Sequence, residues 1–155
     1  MKSGPERVAD SFEKLGIKSE IVCFKQSART AIAAAKAVGC ELSQIAKTIV
    51  FKTSDQLPVL VVASGANRID KALISDVYGA KLKISSPEFA KQTTGFNIGE
   101  VTPFGLVSEM PVLVDESLFR FNRIWISSGS ENSLARIKPD DLLKLPMARK
   151  VSVTK

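Results

Sequence analysis

"IAKTIVFKTSDQLPVLVVAS", residues 45–64, reads as two strands and the turn between them. Residues 45–52 are rich in β-branched side chains, and 58–64 are almost wholly apolar, which suits a pleated, buried surface. "TSDQLP" supplies turn residues, so the two runs are expected to form a hairpin. A sheet therefore lies at the centre of the fold, and the flanking sequence must supply its cover.

Upstream, "SARTAIAAAKAVGC" is an alanine-rich helix closed by Gly39, and "ELSQ" adds one further turn. "EIVCF" (20–24) is a short strand. Residues 3–15 form a helix, with Ser3 and Glu6 as a capping box, Val8, Phe12 and Leu15 at helical spacing, and Gly16 as its stop. Downstream, Asp70 caps a helix ending at Tyr78 before Gly79, and "AKLKISS" is a strand. Ser85, Pro87 and Glu88 mark a helix start, and Gly95 its end. "MPVLVDESLF" and "RIWISSG" are strands whose close succession predicts antiparallel pairing. "SLARIK" is another strand, "PDDLLKL" begins a helix, and the basic tail from Met147 is expected to fray. The fold class is α+β: one domain over residues 1–155, with a mixed sheet of about six or seven strands.

With 155 residues, 45% hydrophobic and 25% charged, the chain has the balance of a soluble globular domain. It has no apolar run of about 18 residues and no signal-peptide pattern, so a cytoplasmic protein with no membrane partner is expected. Cys23 and Cys40 fit a reducing compartment and read as small buried hydrophobes. Twenty-two basic against sixteen acidic residues give a net +6, which biases encounter toward polyanions such as RNA. Histidine is absent. That excludes Ser-His-Asp and Cys-His catalysis and His-ligated zinc, and two cysteines cannot make an all-cysteine zinc site. Chemistry is left to lysine, carboxylates, hydroxyls, main-chain amides or the substrate itself.

Three stretches can carry such chemistry. Lys47 shares a strand face with Ile49 and Phe51, whereas Lys52 lies opposite. From that face an amine either reaches over a pocket or extends to solvent from the strand end. "FNIGEVTPFG" (96–105) holds three of the chain's sixteen Gly and Pro residues and one charge. Gly99 lets main chain approach a ligand, Pro103 stiffens the loop, and Gly105 permits an unusual turn. The loop is either a connector or a set of preorganised amides around a developing oxyanion. "SSGS" (127–130) offers positioning hydroxyls, or a plain turn; without a histidine base these serines are not nucleophiles. Asp115 sits late in a strand, where capping a turn competes with contacting substrate. Arg68 and Lys71 in "GANRIDK", together with Arg29, are candidate phosphate contacts or ordinary basic loop residues.

Taken together, "SARTAIAAAKAVGCELSQIAKTIVF", "LPVLVVASGANRID", "SSPEFAKQTTGFNIGEVTPFG", "PVLVDESLF" and "RIWISSGSENSLARIKPDDL" resemble the YbaK family, free-standing relatives of the prolyl-tRNA synthetase editing domain. The segments run in the family's order across about residues 27–145. The resemblance implies a curved mixed sheet, nearly closed into a barrel, with helices packed outside. It also implies hydrolysis of mischarged aminoacyl-tRNA with no metal, no cofactor and no protein nucleophile. In that scheme Lys47 contacts the substrate's terminal nucleotide, and the loop of Gly99, Glu100, Val101, Thr102 and Pro103 presents amides to the aminoacyl ester. Phe104 and Gly105 shape the loop, while Ser128, Gly129 and Asp115 border the amino-acid pocket. Arg29, Arg68 and Lys71 meet tRNA. Water is activated by the 2′-hydroxyl of the terminal adenosine, or a substrate cysteine thiol attacks its own ester. Some alanine-clearing members carry a histidine near "ISSGS", where Ser128 and Gly129 stand in this chain, leaving Cys, Ser, Thr or Ala as the amino acid removed. A synthetase is a possible second partner. The rival reading is a non-catalytic module that binds aminoacyl-tRNA or a synthetase.

Overall fold

The structure, a computed structural model, describes residues 2–155. Its centre is the expected hairpin: β2 (Ile45–Lys52) and β3 (Pro58–Ser64) run antiparallel, in register from Ala46 opposite Ser64 to Lys52 opposite Pro58. Thr53 closes the turn, its hydroxyl and amide both meeting Leu57 (3.0 and 2.9 Å). Val59, Leu60, Val61, Val62 and Ala63 are all fully buried, because both faces of β3 are covered.

The sheet order is β1-β7-β6-β2-β3-β5-β8, with β4 also pairing β2. The remaining strands are β1 (Glu20–Cys23), β4 (Lys83–Ile84), β5 (Val112–Asp115), β6 (Ile124–Ser127), β7 (Ser133–Ile137) and β8 (Ala148–Val151). The pairs β2/β6, β3/β5 and β5/β8 are parallel and the others antiparallel, so the sheet is mixed. It has eight strands rather than six or seven, and it remains open, with β1 and β8 at the ends of the order.

Helices cover both faces. On one face, Val8 and Phe12 of α1 (Gly4–Leu15) join Leu60, Val62, Val112 and Val114 in the main core. On the other, Ile74 of α3 (Lys71–Tyr78) packs with Phe51, Val59, Val61 and Leu113. Ala34 and Ala35 of α2 (Ala31–Val38) lie over Ile45 and Leu134. The fourth helix, α4 (Pro87–Thr94), leads into the 96–105 loop. Local signals match the caps: Ser3 and Glu6 form a complete capping box, and Gly16, Gly39, Gly79 and Gly95 stop their helices in the left-handed region. Among the described residues, no helix is long and apolar enough to cross a membrane.

Three expectations are corrected. β5 and β6 do not pair, because the Asp115 carboxylate accepts from the Ser117 amide (3.2 Å) and turns the chain into the 3-10 segment Glu116–Arg120. β6 instead lies between β2 and β7. The tail is not frayed: β8 runs parallel to β5, and Val153 is fully buried with its amide donating to Asp115 Oδ1 (2.9 Å). The cysteines are free but not core residues, since Cys23 is exposed and Cys40 half-buried, where burial pushes its thiol up.

Candidate active site

One edge of β2 is paired with β3 along its length, but the other edge is divided between two partners. Ile45 and Ala46 pair with β6, and Phe51 and Lys52 pair with the two-residue β4. No strand takes residues 47–50 on that edge, so the sheet carries a notch beside Lys47. The 96–105 loop crosses this notch. Its ends are sunk in the main core by Phe96 and Phe104, the latter packed edge-on against Phe12 with centroids 4.8 Å apart.

Between them lies a cavity of about 300 Å3. Lys47 and Thr48 line one wall, Gly99 and Val101 the facing loop, Arg29 the start of α2, and Ser127, Ser130 and Ser133 the ends of β6 and β7. Gly99 adopts φ +86°, a region glycine enters without strain, and a Cβ there would come within 3.2 Å of the Arg29 side chain. Glu100's amide is engaged by the Asn97 carbonyl (2.9 Å) and its carbonyl accepts from Ser127 Oγ (2.8 Å). Among the described residues, the amides of Gly99 and Val101 have no hydrogen-bond partner, and Lys47 has no ion pair. Thr48 Oγ1 is buried without a partner. The site thus brings together one amine, two open amides and a set of hydroxyls.

A neighbouring cavity of about 380 Å3 shares Lys47, Ile49 and Ile84 with the first and adds Arg68 and Lys71. The 65–71 loop is held from behind: Arg68's carbonyl accepts from the Lys155 amide (3.0 Å) and Asn67 donates to Ser117 Oγ (3.0 Å). Three cations therefore face one groove that continues from the first cavity, a shape suited to consecutive phosphates.

Other expected site residues lie elsewhere. Pro103 and Gly105 line a third cavity of about 450 Å3 on the reverse side of the loop, against α1. That cavity is the largest of the three, but Lys47, Gly99 and Val101 do not line it, and convergence of polar groups outweighs size in marking a site. Proline has no N–H and Glu100's is engaged, so the loop's donors reduce to Gly99 and Val101 rather than the whole of 99–103. Phe104 is a core side chain. Ser128 is fully buried and donates to Ser133 Oγ (2.6 Å), and Gly129 is packed against the backbone of Gly4, so both sit behind the cavity wall rather than on it. Asp115 does not line any of the three cavities and ties the tail to β5. Thr48 and Ser133 were hidden from sequence reasoning because the notch and strand ends that expose them depend on long-range pairing.

Thr102 is fully buried, and its hydroxyl has no partner. Thr102→Val keeps the shape and removes this orphan, so thermal unfolding is expected at an unchanged or higher temperature, by up to about 1 kcal/mol of stability. A clear loss of stability would show that the hydroxyl has a partner in solution.

An open mixed sheet bearing a histidine-free cavity of amides and hydroxyls, backed by a cationic groove, defines a module suited to positioning a polyanion. The aminoacyl-tRNA editing domain pattern matches residues 25–145, and the chain belongs to that family. It is 32% identical over 142 residues to the uncharacterized protein YwhH of Bacillus subtilis, covering 92% of this chain and 90% of YwhH. It is 22% identical over 142 residues to EbsC of Enterococcus faecalis, named as a candidate Cys-tRNA(Pro)/Cys-tRNA(Cys) deacylase, covering 91% and 87% of the two chains. A crystal structure described as a candidate trans-editing enzyme for prolyl tRNA synthetase superposes with a TM-score of 0.91 at 33% identity, covering 100% of this chain and 99% of that one.

Proposed function

We propose that this protein is a trans-acting deacylase that hydrolyses the ester of mischarged tRNA, with tRNA-Pro as acceptor. The observation that carries the reading is that Lys47, Gly99 and Val101, far apart in sequence, line one cavity. The aminoacyl group enters that cavity, and the sugar-phosphate of the tRNA end lies in the groove of Lys47, Arg68 and Lys71. As water adds to the ester carbon, negative charge grows on the carbonyl oxygen. Amides held in place before the reaction stabilise it without reorganisation, and Gly99 and Val101 are the open donors. The C–O bond to the ribose then breaks, and the ribose oxygen takes the proton released by the attacking water. Water is activated by the neighbouring 2′-hydroxyl or, for a cysteinyl ester, replaced by the substrate's own thiol. An aminoacyl ester is already labile, so orientation supplies much of the acceleration.

About 300 Å3 lined by Thr48, Ser127, Ser130 and Ser133 suits a small amino acid, with cysteine, serine, threonine and alanine as the candidates. Discrimination among them rests on single methylenes and hydroxyls, worth about 1–3 kcal/mol each. The name of the EbsC relative and the prolyl-tRNA trans-editing description of the structural neighbour support tRNA-Pro and a link to its synthetase.

The test incubates the purified protein with tRNAs carrying Ala, Ser, Thr, Cys or Pro and follows ester loss. Cleavage of at least one mischarged tRNA-Pro well above the buffer rate is expected. Salt-sensitive tRNA binding with no cleavage of any ester would move the protein to the non-catalytic reading.

A further inference from the structure

The 96–105 loop is held by a residue outside the stretch that matches the family. Arg7, on α1, reaches under the loop and donates to the main chain at both of its ends. Nε and Nη2 donate to the Gly105 carbonyl (3.0 and 2.7 Å), Nη1 to the Gly95 carbonyl (3.1 Å) and Nη2 to the Thr94 carbonyl (2.9 Å). The guanidinium lies 4.3 Å from the centroid of the Phe96 ring. Gly95 and Gly105 bracket the segment that carries Gly99 and Val101, so one side chain fixes the distance between the loop's two feet.

The glycines fit this clamp. A Cβ on Gly95 would stand 2.5 Å from Arg7 Nη2, and one on Gly105 2.8 Å from the Arg7 backbone. The same helix also braces the opposite wall: a Cβ on Gly4 would stand 2.0 Å from the Gly129 carbonyl oxygen, so the two main chains touch there. Gly129 follows Ser127, whose hydroxyl accepts from the Gly129 amide (3.2 Å) and donates to Glu100 (2.8 Å). Through α1, both the amide-bearing loop and the serine loop are referred to one rigid element. Val8 and Phe12 dock that element in the core independently of Arg7.

We propose that Arg7 is a positioning residue for the candidate active site: it clamps residues 95 and 105 so that the Gly99 and Val101 amides keep their aim. A lysine could not replace it, since its single ammonium cannot reach three carbonyls at the two feet as a planar fork does. With four of its bonds made to main-chain carbonyls, Arg7 is also not a free cation for tRNA. The proposal rests on the deacylase reading for its kinetic consequence, but not for its structural one.

The experiment compares wild type with Arg7→Met and Arg7→Lys by hydrogen exchange and by deacylation kinetics. In both variants, exchange in the 96–105 segment is expected to rise about 10-fold or more, while β3 keeps its protection. Turnover of the cleaved tRNA should fall about 10- to 100-fold with KM within about threefold, because a small misplacement of positioned groups acts on the chemical step. Unchanged exchange over 96–105 would overturn the clamp whatever the activity. Full recovery in Arg7→Lys would also overturn it, leaving only the charge as important. If the wild-type protein cleaves no ester, the deacylase reading fails, and the exchange comparison still decides the role of Arg7.

Discussion

Replacing Lys47 with alanine is expected to lower turnover of mischarged tRNA about 100-fold, the scale seen when one preorganised donor is removed from a site of developing charge. The fold should not notice. Lys47 is only partly buried, has no ion pair among the described residues, and sits opposite Ala63 in a β2/β3 ladder that its backbone keeps intact. Substitutions of that kind stay within about 0.5 kcal/mol of wild type. The kinetic pattern separates two roles for the amine. If it meets a phosphate, KM rises and the salt dependence of binding weakens by about one counterion. If it meets the ester oxygen, kcat falls and the salt dependence is unchanged. Lys47→Arg keeps the charge and broadens the head, so it should preserve a phosphate contact better than an ester contact. Wild-type turnover in Lys47→Ala would remove this residue from the site.

Local chemistry made much of the fold legible. The hairpin at 45–64, the capping box at Ser3 and Glu6 and the glycine stops of the helices depend on residues close in sequence, and all stand where the pattern puts them. Partner choice in the sheet did not follow from local signals. β5 and β6 are neighbours in the chain, yet Asp115 turns the strand aside and β6 pairs with β2, about eighty residues earlier, over Ile45 and Ala46 alone. β8 was unreadable for a similar reason: its charged residues face outward, and only Val153 marks the burial that holds it. The same limit applies to the site. Lys47 and Gly99 were identifiable because a strand lysine and a loop glycine have few ordinary purposes in those settings. Thr48 and Ser133 enter only through the notch left by two short pairings on one edge of β2. Arg7 was invisible to sequence because its partners are carbonyls, which every residue has.

Asp115→Ala is expected to cost far more stability than Lys47→Ala or Thr102→Val, about 3–5 kcal/mol, because it strands several donors at once in a buried place. The carboxylate is 1% exposed. It accepts from the Ser117 amide (3.2 Å) and hydroxyl, the Val153 amide (2.9 Å) and the Thr154 hydroxyl (3.2 Å). These bonds cap the turn that ends β5 and fasten the tail beyond β8. The tail in turn holds the 65–71 loop: Asp70's amide donates to the Val153 carbonyl (2.9 Å), and Lys155's amide to the Arg68 carbonyl (3.0 Å). Loss of the carboxylate should therefore free the tail first and loosen Arg68 and Lys71 with it. At about 2–4 °C per kcal/mol for a chain of this size, thermal unfolding should fall by about 6–20 °C. Asp115→Asn keeps one acceptor oxygen but turns an NH2 toward remaining donors, so its cost should lie between wild type and alanine. Activity in Asp115→Asn, measured well below its melting temperature, should change mainly through KM, because the loosened groups are the phosphate-facing cations and not the amides of Gly99 and Val101. A fall in kcat with no change in melting temperature would return Asp115 to the border of the amino-acid pocket, the place that the family resemblance implies for it.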